Sequence, residues 1–98
     1  MDFDKIILKP MSWQILSGLY GKEPMKAEDL AAELGLGTRQ VDAAVTKSLV
    51  RYGFCIREAK LTRLMKKEYS LIRITDKGTR YVKWKQEREA LRANNEGK

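Results

Sequence analysis

The sequence predicts a single α+β domain, mostly α: three helices, a two-stranded antiparallel hairpin and a C-terminal helix. Three observations carry this. Apolar residues recur at three- and four-residue spacing as far as Tyr52. After Gly53 they alternate instead. After Thr75 the helical period returns.

The first helix is read in "PMSWQILSGLY", about residues 10–20. Pro10 stands near its start, where a missing N–H costs nothing, and Trp13, Ile15, Leu16, Leu19 and Tyr20 supply its apolar positions. Gly21 and Pro24 end it. Upstream, Phe3 to Leu8 fits either an extended arm or an early helical turn, and its "IIL" needs a packing partner, with the C-terminal helix a candidate.

"KAEDLAAELG" is read as the second helix, with Leu30, Ala31 and Leu34 inward and Glu28 and Asp29 in the first turn, where the helix dipole favours acids. Gly35 stands where a left-handed C-terminal residue is wanted, since it has no Cβ to clash. Leu36 fills the gap to the next helix, Gly37 and Thr38 begin it, and Thr38 is read as its N-cap. The third helix then runs from about Arg39 to Tyr52. Val41, Ala44, Val45, Ser48, Leu49 and Tyr52 share its inner face, and Gly53 stops it.

"FCIREAK" and "EYSLIRI" are read as strands at about 54–60 and 68–74, joined by the long basic loop "LTRLMKK". Thr75 is an N-cap candidate for the last helix, 76–92, with Asp76 in its first turn. Residues 93–98 read as a frayed, flexible tail. The whole of 1–98 is thus one domain, with core and hairpin at 10–75.

Composition excludes several function classes. Ninety-eight residues with 43% apolar and 34% charged content suit one compact domain. No apolar run approaches the ~20 residues that span a bilayer. The N-terminal "MDFDKIILKP" carries acids where a secretory leader would be basic, so export is not expected and the cytoplasm is. There is no histidine and one cysteine. This removes Ser-His and Cys-His nucleophiles and any plausible transition-metal site, so neither an enzyme nor a metal or other cofactor is indicated. Cys55, among apolar neighbours, reads as a buried strand residue. Trp13, Tyr81 and Trp84 read as core or dimer packing.

The net charge of +7 is segregated. Residues 1–46 hold five Lys/Arg against seven Asp/Glu, a balance of −2. Residues 47–73 hold eight against two, a balance of +6, and residues 74–98 seven against four, a balance of +3. A positive excess that begins within the third helix and peaks just after it points to a polyanion.

The order helix, helix, tight turn, helix, hairpin, helix resembles the winged helix-turn-helix DNA-binding domains. "AEDLAAELGLGTRQVDAAVTKSLVRYGFC" is similar to their helix-turn-helix, with Leu49, Gly53, Phe54 and Cys55 leading into the wing. "YSLIRITDKGTRYV" is similar to the wing end and following helix of MarR-like and PadR-like regulators, Ile74, Thr75 and Gly78 standing at their leucine-threonine-x-x-glycine positions. Its basic loop is longer than many wings.

The resemblance implies a third helix in the major groove of double-stranded DNA and a wing on the phosphate backbone. Carried over, Arg39, Gln40, Ala43, Thr46 and Lys47 are base-contact candidates. Arg matches guanine O6 and N7, Gln matches adenine N6 and N7, and an Ala methyl can touch thymine. Thr38, Arg51, Arg57, Lys60, Arg63, Lys66, Lys67 and Arg73 are backbone-contact candidates. Asp42, awkward near phosphates, is expected to pair with Arg39 or Lys47 or to accept from cytosine N4. A homodimer through the terminal helices, with Tyr81, Trp84 and Leu91 at the contact, would double the site read. The function implied is a small transcriptional regulator, associated with the nucleoid when bound. A phage or plasmid accessory protein for replication, excision or packaging would use the same surfaces, and an RNA- or protein-binding winged helix is a further alternative.

Overall fold

The computed structural model describes residues 3–61 and 68–96. A short 3-10 turn at Phe3–Lys5 is followed by α1 (Pro10–Leu19), α2 (Ala27–Leu34) and α3 (Thr38–Ala44). Helix α3 runs on as a π-helical turn, Val45–Leu49. Strands β1 (Cys55–Leu61) and β2 (Glu68–Ile74) and helix α4 (Asp76–Glu96) complete the chain. This is the mostly helical α+β arrangement the sequence predicts, with a three-helix core and a two-stranded wing. The last helix reaches Glu96, four residues beyond its expected end and into the expected tail.

Local chemistry sets the joints. At the end of α2, Gly35 takes φ +71°, and the Leu36 N–H donates to the Ala31 carbonyl at 2.9 Å. This left-handed stop turns the chain sharply into α3. Gly53, at φ +79°, ends the turns that follow α3, with the Phe54 N–H donating to the Leu49 carbonyl at 2.8 Å. Thr75 caps α4 as expected: its Oγ1 accepts from the Gly78 N–H at 3.0 Å. The same hydroxyl donates to the Gly53 carbonyl at 2.6 Å, so one side chain joins the exit from α3 to the start of α4.

The helix α3 start differs from expectation by one residue. Gly37, not Thr38, is the N-cap, and Thr38 is the first helical residue. Gly37 has no side chain to offer, so the cap comes from downstream: Gln40 Oε1 accepts from the Gly37 N–H at 3.0 Å.

The hairpin is antiparallel, Cys55 opposite Ile74 and Leu61 opposite Glu68. Cys55 and Ile72 face the core, while Ile56 and Arg73 face out. The sequence did not disclose a third pairing: Met25, between α1 and α2, exchanges backbone hydrogen bonds with Ile72 at 3.1 and 2.7 Å. It closes part of the free edge of β2, which would otherwise present unpaired backbone groups.

One core unites these parts. Ile15, Leu16 and Leu19 of α1 meet Leu30, Val41, Val45 and Leu49, and Phe54, Ile72, Tyr81 and Val82 close it. Phe3 packs edge-on against Tyr81 at 5.4 Å and lies 5.7 Å from Trp84. The N-terminal arm thus rests on α4 through Phe3; of the "IIL" segment, Leu8 is buried in the core while Ile7 stays 85% exposed. Tyr81, one of the expected dimer-contact residues, is 1% exposed and stacks on Phe54 at 4.6 Å. It is therefore a core residue in this chain. Trp84 is half-buried and Leu91 is exposed.

Candidate nucleic-acid interface

Helix α3 buries Val41, Val45 and Leu49 and leaves a continuous outer surface of Thr38, Arg39, Gln40, Ala43, Thr46 and Lys47, all exposed. Val50, at 38% exposure, extends that surface with an apolar side chain. The surface offers a guanidinium, an amide, two hydroxyls, an ammonium and two apolar groups, the set of donors and methyls that base edges in a major groove can match.

The structure assigns Asp42 to neither expected partner. Arg57, on β1, reaches across from the wing: its Nη2 lies 3.2 Å from Asp42 Oδ1, 3.3 Å from the Asp42 carbonyl and 3.0 Å from Thr46 Oγ1. One guanidinium therefore neutralises the carboxylate on this face and fixes the wing against the helix. Arg57 opposes Ile72 in the register, so its side chain leaves the hairpin on the side that faces the helices.

The remaining wing candidates divide. Arg73 is paired with Glu58, Nε to Oε1 at 2.7 Å, on the outer side of the hairpin. Arg51 is exposed in the turn after α3. Lys60 belongs to β1, and Arg63, Lys66 and Lys67 lie outside the described residues.

On the other flank of α3 lies an open cleft against the start of α1. Its floor is Met11, Ala43 and Ala44, and Lys9, Ser12 and Lys47 border it. The helix surface is thus bounded by Arg57 on one side and Lys9 on the other.

Cys55 is fully buried, and burial pushes its thiol up to about 12, with Arg57 opposing that shift. A thiol held protonated in this way is neither nucleophile nor metal ligand at neutral pH. Among the described residues no group of three or more His, Cys, Asp or Glu side chains is placed to hold a metal, and no helix is long and apolar enough to cross a membrane.

No family model and no curated protein matches the chain. Solved structures do match. A protein of unknown function from Listeria innocua is 25% identical with a TM-score of 0.68, covering 98% of this chain and 62% of its own. A transcriptional regulator from Thermotoga maritima is 22% identical with a TM-score of 0.68, covering 90% of this chain and 58% of its own. The MepR protein of S. aureus, solved in complex with DNA, is 18% identical with a TM-score of 0.66, covering 98% of this chain and 79% of its own. The chain therefore spans about three-fifths of the first two. These likenesses establish the fold, a winged helix-turn-helix.

Proposed function

We propose that this chain binds double-stranded DNA with sequence preference, as a small transcriptional regulator of the cytoplasm rather than an enzyme. Helix α3 lies in the major groove and the wing rests on the phosphate backbone. One observation carries this reading above the others: the outer face of α3 is polar and cationic, and its single carboxylate, Asp42, is already neutralised by Arg57. An acid left unpaired there would repel phosphates; a paired one does not. The same polar face suits a protein partner poorly, because interface centres are depleted in charge.

The fold supports the reading, since it is shared with a transcriptional regulator and with a protein solved on DNA. Arg39 carries no ion pair among the described residues and keeps its guanidinium fork for a guanine edge. Gln40 is more constrained: its Oε1 is engaged by Gly37, which leaves Nε2 as the available donor. The homodimer reading rests on the exposed Leu91 and the half-buried Trp84, against which Phe3 of the N-terminal arm packs at 5.7 Å.

Selection from a randomised duplex pool tests the proposal. It should enrich one motif, as an inverted repeat if two copies bind together. A pool that yields no motif, or RNA bound as tightly as duplex, would refute the regulator reading.

A further inference from the structure

The cleft between α1 and α3 has a composition that the groove-reading role of α3 does not explain. Its floor is apolar, from Met11, Ala43 and Ala44, while its border carries Lys9 and Lys47. Neither lysine has an acidic partner among the described residues. Ser12, only 3% exposed, lines the same cleft. Its hydroxyl makes no hydrogen bond among the described residues, whereas the hydroxyl of Ser17, five residues on, donates to the Trp13 carbonyl at 2.8 Å. Every fully enclosed side-chain polar atom among the described residues has a partner, so the Ser12 hydroxyl still reaches the open space of the cleft.

The backbone adds donors at the same place. Helix α1 begins at Pro10, with Lys9 as an N-cap that supplies no side-chain cap. The N–H groups of Met11 and Ser12 fall in the first turn, where no carbonyl of the helix is available to them. First-turn N–H groups, a nearly buried unpartnered hydroxyl and two free ammonium groups together form a receptor for an oxyanion. The apolar floor beside it suits a group that is part anion and part hydrocarbon.

We propose that this cleft seats one sugar–phosphate unit of duplex DNA, the phosphate at Ser12 and Lys9 and the deoxyribose over Met11 and Ala43. This inference rests on the DNA-binding reading and extends it: α3 would be held in the groove from both sides, by the wing on one and by the α1 N-terminus on the other. The placement explains why a cation outside both the turn and the wing borders the recognition surface. The contact carries no base information, so it adds affinity for every sequence equally.

The test is a fluorescence anisotropy titration of the full chain against a selected and a random duplex at several salt concentrations. Lys9→Gln should weaken both duplexes by the same factor and reduce the log–log salt slope by about 0.9, the release expected from one phosphate contact. Lys83→Gln, exposed on α4 and not among the residues that line the cleft, should leave that slope unchanged. Ser12→Ala should weaken both duplexes roughly three- to tenfold with the slope unaltered, because a neutral donor is lost. Circular dichroism melting of each variant checks the fold.

If the parent chain binds duplex and neither Lys9→Gln nor Ser12→Ala changes affinity, the cleft assignment is overturned while the DNA-binding reading stands. If the parent chain binds no duplex, both fail. Amide NMR separates the two sources of phosphate. A Ser12 shift that saturates with duplex supports the backbone contact. One produced by inorganic phosphate and unaffected by duplex assigns a free-anion site and overturns the proposal.

Discussion

In the proposed reading Gln40 has two tasks, and they can be separated by substitution. Its Oε1 closes the α3 N-terminus on Gly37, and its Nε2 is left as the donor for a base edge. Gln40→Ala should lose both, costing about 1 kcal/mol of stability as well as base preference. Gln40→Glu keeps the acceptor for Gly37 and replaces the Nε2 donor by a charge. It should therefore melt at or above the parent temperature yet bind duplex more weakly. Chemical denaturation and duplex titration of the two variants check this, and equal loss of stability in both would contradict the cap assignment. Cys55 gives a second residue-scale prediction. Its thiol is raised from near 9 to about 12 by burial, so the folded protein keeps the proton that the unfolded chain releases above about pH 9. The sign follows: the unfolded state binds fewer protons in that window, and Cys55 makes stability fall as pH rises from 9 to 12. A thiol reagent at pH 8 should label Cys55 only after denaturant is added. Rapid labelling of the native protein would show that the thiol is accessible.

At the scale of elements, the joint between α3, the wing and α4 is the most constrained point of the chain. A Cβ on Gly78 would lie 2.3 Å from the Phe54 carbonyl oxygen and 2.8 Å from Ile74 Cγ1. The carbonyl cannot yield easily, because it accepts from the Thr75 N–H at 2.9 Å. Gly78→Ala should cost on the order of 2–3 kcal/mol, read as a lower denaturation midpoint. An unchanged midpoint would mean that α4 can move away from the wing freely. These joints were largely legible in the sequence, because caps and left-handed glycines are local chemistry: Gly35, Gly53 and Thr75 act where their residue types require. What was not legible is equally specific. The Met25–Ile72 pairing joins residues far apart in the chain with no strand pattern at Met25. The Arg57 link to Asp42 and Thr46 depends on the angle between wing and helix, which periodicity does not encode. The one-residue error at the start of α3 arose because Thr38 is a good cap in isolation, whereas Gln40 reaching back supplies an equivalent one.

For the molecule as a whole, shape and charge agree on a division of labour. The chain extends 60 × 29 × 21 Å, with a radius of gyration of 15.2 Å against about 13 Å for a compact domain of this size. Residues Gln86 to Leu91 are all exposed, so this part of α4 stands clear of the core. The sequence located the surface of α3 correctly as exposed, but it did not disclose that Arg57, counted among the wing cations, ties its Nη2 to Asp42 and Thr46, and it left Tyr81 between core and dimer packing where the side chain fills the core. Both differences come from side chains whose residue type suits either role and whose direction only tertiary packing decides. The central claim, that α3 reads bases while the surrounding cations hold phosphates, is tested most directly by the ratio of affinities for a selected and a random duplex, measured for the parent chain and for Arg39→Ala. The account predicts that Arg39→Ala collapses the ratio toward one, chiefly by weakening the selected duplex, by a factor corresponding to about 1–3 kcal/mol. A ratio left intact in Arg39→Ala would contradict it.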